Sequence, residues 1–292
     1  MQIFIIKTVI FYKNILLEAD DVIKRPIFHF TELTGMYETA MKGLDTELNI
    51  PKDVFKSFQI KDELYPKMWA NEQLKPEIRK QLLKIAVDFF TKLELPDEIK
   101  LKDVLLVGSL ANYNWSEYSD VDMHLVVDFS QFKEDEEFIK KFFDAQKNLY
   151  NIKHDIKIAG HDVEVYVQDK NDKVHAGGIY SLPKDNWVRM PIKNRFTVDR
   201  KNVKLKVDKF FDKIKSIENT YKKENYKDVI TKIDALKDSI KKMRQAGLEK
   251  GGEYSIENIV FKVLRRTDFM ELLDTYKNKS YDKMVSVNEE QP

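Results

Sequence analysis

The sequence predicts an α+β protein: a small mixed or antiparallel sheet with flanking helices, followed by a C-terminal helical bundle. Three observations predict it. Short apolar runs rich in β-branched residues cluster between residues 103 and 167, among them "DVLLV", "VDMHLVV" and "DVEVYV". An amphipathic helical stripe precedes them, with apolar residues three and four apart. After Pro191 the composition shifts to long, Lys-rich segments of the same helical period. These shifts divide the chain into an N-terminal segment of unclear role (1–64), an α/β domain (65–195) and a C-terminal helical domain (196–292).

In chain order, "MQIFIIKTVIFYKNILLEADD" is apolar, but Lys7 and Lys13 interrupt it and no small-residue cleavage site follows. A span needs about 18–20 apolar residues, so a packed strand or helix, or an interfacial segment, is expected rather than an exported or membrane-crossing one. Pro76 suits the first turn of a helix, where its missing N–H costs nothing. Ile78, Leu82, Ile85, Ala86, Phe89 and Leu93 then form its buried stripe. Strands follow at about 103–107 and 121–128, with a Gly-Ser turn and a short helical piece between them. "EDEEFIKKFFDAQKNLY" has helical period, with Phe138, Phe142 and Phe143 near one face. "HDIKIAG" and "HDVEVYVQD" read as two strands around a turn at Gly160. In the bundle, Val207, Phe210, Phe211, Ile214, Ile217 and Tyr221 make one stripe, and Ile230, Ile233, Leu236, Ile240 and Met243 another. The second is expected to end before Gly247 as its C′ residue. Ser255 can cap a third helix bearing Ile259, Val260, Val263 and Leu264, and the polar tail from Lys277 is expected to fray.

Charge is high but balanced. Fifty Lys and Arg against 49 Asp and Glu leave no global field to steer the chain onto nucleic acid. The Lys-rich helices intersperse acids with their lysines, as in "KIDALKD", which suits a solvated face better than an RNA-binding one. With no cysteine there are no disulfides and no thiolate metal sites. A reducing, cytoplasmic location with no membrane partner is expected.

The chemistry concentrates in "LLVGSLANYNWSEYSDVDMHLVV", Leu105 to Val127. Residues two apart on a strand point the same way, so Asp120 and Asp122 share a face. Two unpaired carboxylates so close would not both stay ionised. A hard cation, Mg²⁺ or Mn²⁺, removes that penalty and is commonly shared with phosphate oxygens. Gly108 lets the backbone pass close to a phosphate, and Ser109 can donate to it from its amide and hydroxyl. Glu164, in the strict alternation of "DVEVYV", offers a third carboxylate; Asp162 lies on the same side two residues earlier. These parts suit in-line nucleotidyl transfer.

Gly108-Ser109, ten residues, Asp120-x-Asp122, then a strand-borne Glu164, resembles the signature of the polymerase-β-like nucleotidyltransferase superfamily. The resemblance implies a nucleotidyltransferase-like palm in which Asp120 and Asp122 bridge two metals and Glu164 helps activate the acceptor hydroxyl. Segments including "LYPKMWANEQLKPEIRKQLLKIAVDFF", "GGIYSLPKDNWVRMP" and "ENIVFKVLRR" also resemble uncharacterised nucleotidyltransferase-like proteins of tailed phages, over roughly residues 62–275. The implied activity moves an NMP from an NTP, such as ATP, to an acceptor hydroxyl with release of pyrophosphate. The acceptor, a nucleotide, an RNA end, a small molecule or a protein, is left open, and the implied location is the host cytoplasm if the chain is phage-encoded. A catalytically silent binding module and a phage structural or assembly protein are the alternatives.

Other candidates are weaker on their residues alone. His124 alternates in phase with the aspartates but has no metal-ligand spacing. Asn112, Tyr113 and Trp115 could wall a base pocket, although aromatics there are more often core. The Gly177-Gly178 pair reads equally as a turn or as close approach to a nucleotide. Arg265 and Arg266 of "LRR" could steady a triphosphate, against the plainer reading of a solvated helix face.

Overall fold

The structure is a computed structural model that describes residues 50, 52–194 and 196–286. Its elements lie in one compact unit, residues 50–151 and from 155 onward, save the last two residues of the helix that ends at Lys153. The expectation for the first 21 residues lies outside the described residues.

Helix α1 (Lys52–Lys56) leads to a hairpin of β1 (Trp69–Ala70) and β2 (Gln73–Leu74). Its turn residues Asn71 and Glu72 take φ values of 49° and 62°, as a tight two-residue hairpin turn requires. Glu72 is held there from outside, since the Trp187 indole N–H donates to its carbonyl at 2.7 Å. Helix α2 (Pro76–Lys92) starts on Pro76 and buries Leu82, Ala86 and Phe89 from the expected stripe. Six further strands follow: β3 (Asp103–Val107), β4 (Val121–Val127), β5 (Lys157–Ile158), β6 (His161–Asp169), β7 (Ile179–Ser181) and β8 (Asn186–Arg189). They form one sheet in the order β5-β6-β4-β3-β7-β8. The β4–β6 pair is parallel and the others antiparallel, so the sheet is mixed. A parallel pair needs a long crossover, which α3 (Glu136–Lys153) supplies.

Period-two alternation sorts the sheet into two faces. Val104, Leu106, Val121, Met123, Leu125, Val163 and Val165 join α2 and α3 in the main core. Removing each such side chain from water contributes about 1.5–3 kcal/mol, which pins the strand register. On α3, Ile139 and Phe143 enter this core, while Phe138 turns outward and is 52% exposed, against the expected grouping. The opposite face carries a small cluster of Leu105, Val107, Val126 and Ile179, and alongside it the polar residues of β4 and β6.

The bundle comprises α4 (Arg200–Lys222), α5 (Tyr226–Gly251), α6 (Ile256–Arg266) and α7 (Phe269–Val285), with α5 packed on the other three. Asp199, Asn225 and Ser255 cap α4, α5 and α6 through their side chains. Two expectations need correcting. Helix α5 runs through Gly247 to Gly251, because Gly247 is a contact point rather than an end: a Cβ there would lie 2.5 Å from that of Glu257. Beyond Lys277 the chain stays helical to Val285, because Tyr276 and Ser280 are buried and Lys277 pairs with Asp234 at 2.5 Å. Among the described residues, no helix is long and apolar enough to cross a membrane.

Candidate functional site

Strand β3 ends at Gly108, whose φ of 77° and ψ of −163° is a conformation essentially reserved for glycine. Its neighbour Val107 pairs with Asp122 on β4, and a Cβ on Gly108 would lie 1.8 Å from Asp122 Oδ2. The glycine therefore makes the space that the carboxylate fills. Gly108→Ala meets both the backbone strain and the clash, and is expected to cost about 2–3 kcal/mol in denaturant unfolding. An unchanged midpoint would show that Asp122 does not need that space.

Ser109 opens the short helical piece, a single 3-10 turn, Ser109–Ala111. Its hydroxyl donates to the Ser119 hydroxyl at 2.7 Å, and Ser119 Oγ also accepts the Ser116 amide at 2.9 Å. Buried His161 donates from Nδ1 to the Ser119 carbonyl at 2.7 Å. The ten residues between the Gly-Ser pair and Asp120 are thus a loop closed upon its own serines, and this closure aims Asp120. Nothing in the sequence marked His161 or Ser119 for that part, since they meet only when β6 pairs with β4.

Asp122 stands directly across the parallel β4–β6 pair from Glu164. Among the described residues, no hydrogen bond or ion pair reaches either carboxylate. Burial, then Glu164 and Asp120, push the Asp122 carboxyl up to about 7, against the pull of Arg265 and Lys262. Glu164 is raised too, by burial first and by Asp120 next. Asp162, two residues earlier, pairs with Lys157 of neighbouring β5 at 2.9 Å, and its charge adds to the rise of Glu164. Asp120 sits one residue before β4, where Arg265 Nη2 meets its Oδ2 at 2.6 Å.

The positive charge facing these acids comes from α6. Arg265 is its exposed member, whereas Arg266 is built in: it donates to Ser57 Oγ at 2.6 Å and lies 4.3 Å over the Phe58 ring. Arg244 of α5 lies 4.1 Å over Phe261. Lys262 is different. It makes no hydrogen bond or ion pair among the described residues, and burial first, then Arg266, Arg244 and Arg265, lower its pKa, with Glu253 opposing. Sequence reading had not singled it out, although its i, i+3, i+4 spacing with Arg265 and Arg266 places all three on one helical face. Nearby, Asn114 donates to Glu253 at 3.2 Å and leaves its own buried Oδ1 without a hydrogen bond among the described residues.

The remaining candidates fall into place. His124 shares the Asp122 face and donates from Nδ1 to the Gln168 side-chain carbonyl at 2.6 Å, while burial lowers its pKa. Tyr113 and Trp115 serve the scaffold, bonding to the Glu72 carboxylate at 3.1 Å and the Glu63 carbonyl at 2.9 Å. Asn112 accepts the Tyr113 amide at 2.7 Å. Gly178 passes under the 3-10 turn, where a Cβ would lie 1.9 Å from the Ala111 carbonyl oxygen. The double glycine is thus a close approach of chain to chain.

Among the described residues, no three His, Asp or Glu side chains form a ready cage for a metal ion. The donor set nevertheless fits a hard cation that completes its coordination with phosphate oxygens. Asp122 and Glu164 are all-oxygen, mutually repelling and lack donors, so a divalent cation would relieve them and an apolar contact would not. No family model, curated protein or solved structure matches the chain.

Proposed function

We propose that the chain is a metal-dependent nucleotidyltransferase that moves an NMP from an NTP to an acceptor hydroxyl. One observation carries this reading: two donorless carboxylates, Asp122 and Glu164, face a helix that supplies an unpartnered lysine, Lys262, beside Arg265. Acids in need of a cation beside a lysine in need of an anion suit a metal-bound polyphosphate.

Asp120, Asp122 and Glu164 would hold Mg²⁺ or Mn²⁺, which when bound supplies Lewis-acid charge for the triphosphate and the acceptor oxygen. Gly108 and Ser109, at the end of β3 and the head of the 3-10 turn, would meet a phosphate through their backbone amides, since the Ser109 hydroxyl is taken by Ser119. Lys262 and Arg265 meet the charge that grows on pyrophosphate as it leaves. The acceptor oxygen forms the new bond to the α-phosphorus, the bond to pyrophosphate breaks, and the acceptor proton departs on the Glu164 side, the more open of the facing pair. The Arg265–Asp120 pair at 2.6 Å favours a second reading, a binding module without turnover, because it engages one of the three acids.

The test is incubation of the purified full-length protein with each α-labelled NTP, Mg²⁺ or Mn²⁺, and RNA or cell lysate. A labelled product that requires the metal and disappears in Asp120→Asn is expected. Metal-dependent NTP binding with no product would establish the second reading. Neither product nor binding would remove both.

A further inference from the structure

A cleft of about 390 Å³ opens on the face of the sheet that carries the acids, but farther along it. Its floor is apolar: Leu105, Val126, Ile179 and Val188. Four fixed cations, Lys170, Lys173, Lys184 and Arg189, line it against two carboxylates, Asp103 and Asp172. Two of the cations are committed, Lys170 to Asp128 at 2.7 Å and Lys184 to Asp103 at 2.6 Å. Lys173 is exposed and makes no hydrogen bond or ion pair among the described residues. Arg189 donates one N–H to the Ala176 carbonyl at 3.1 Å, leaving most of its fork available.

We propose that this cleft binds a nucleoside monophosphate, with the base on the apolar floor and the phosphate at Lys173 and Arg189. The volume is in the range of small-ligand sites, and apolar side chains beside uncommitted cations suit an apolar ring joined to an anion. The cleft is distinct from the acid site. Val126 and Gln168 lie four residues beyond Asp122 and Glu164 on their strands, a separation of about 13 Å by the strand rise. Val174 and Ala176, from the β6–β7 connection, pack on the Leu105–Val107 cluster. Service as the acceptor's seat would rest on the transfer reading; the binding itself does not.

The experiment titrates the full chain with AMP in EDTA, so that no metal recruits nucleotide to the acid site, and Lys262→Met reports any metal-free binding at that site's own cation. Saturable binding is expected, weakened at least tenfold by Lys173→Glu with Arg189→Glu and unchanged by Lys262→Met, which removes the unpartnered cation of the acid site. Lys173→Glu alone, at an exposed side chain, should weaken binding in the same direction and guards against a folding defect. A 5′-phosphorylated oligonucleotide titrated in parallel tells a free nucleotide from an RNA end as the source of the phosphate. Binding lost in Lys262→Met, or kept after both charge reversals, or absent in the wild type would overturn the proposal. So would inorganic phosphate competing as strongly as AMP, since the floor would then be unused. Metal-dependent NTP binding is scored separately, so either site can fail while the other stands.

Discussion

Asp122→Asn should lower nucleotide transfer at least about 10³-fold, the scale of removing charge stabilisation from a transition state, while making the metal-free protein more stable at pH 8. The opposed signs follow from one fact: the carboxyl is buried against Glu164 and Asp120 with no donor, which raises it from 3.8 to about 7. Between those values the folded chain keeps a proton that the unfolded chain has lost. Stability therefore falls as pH rises from about 4 to 7 and remains reduced above it. A displacement of that size corresponds to on the order of 4 kcal/mol across the window. Asparagine cannot ionise, so the slope should disappear from pH-resolved melting curves of the variant in EDTA. Adding Mg²⁺ at pH 8 should raise the wild-type melting temperature and leave that of Asp122→Asn unmoved, since only the first gains by binding. A wild type whose melting curve is flat with pH, or a variant that keeps its activity, would contradict the role given to Asp122.

The sequence carried the parts of this site that obey local rules. In "VDMHLVV" and "DVEVYV" buried apolar residues flank Asp122 and Glu164 on either side, so strand phase alone turns both away from the core. What it could not carry is pairing. That Glu164 rather than Asp162 stands across from Asp122 depends on the β4–β6 register, and the Asp162–Lys157 pair depends on β5 arriving beside β6. The Arg265–Asp120 contact joins residues 145 positions apart, and no periodicity spans that distance. Strands β7 and β8 escaped notice for another reason: three and four residues beside Gly177 and Gly178 are too short to show alternation. Gly247 misled because glycine serves two purposes, ending helices and letting helices approach, and only the packed bundle shows which applies.

Lys262→Met is expected to reduce kcat/KM for Mg·NTP about 10²-fold, mostly through KM, the scale of losing one charge-assisted contact to a phosphate. Methionine keeps an unbranched side chain of similar length and deletes the charge, so the fold should tolerate it. In the ligand-free protein the change should be stabilising. Burial and the neighbouring arginines depress the lysine below 10.5, so the unfolded chain binds a proton at pH values where the folded chain has released it. Stability then rises with pH between the lowered value and 10.5, and the variant should lack that rise. Arg265→Gln provides the contrast. Its guanidinium is half exposed and already paired with Asp120, so its loss should leave ligand-free stability within about 1 kcal/mol. Under the transfer reading, that substitution frees Asp120 for the metal while removing a phosphate contact, so it should move metal affinity and NTP affinity in opposite directions. Lys262→Met without effect on KM would mean that the lysine answers to Glu253 alone. The facing of acids and cations would then be structural, and the case for a polyphosphate between them would fall with it.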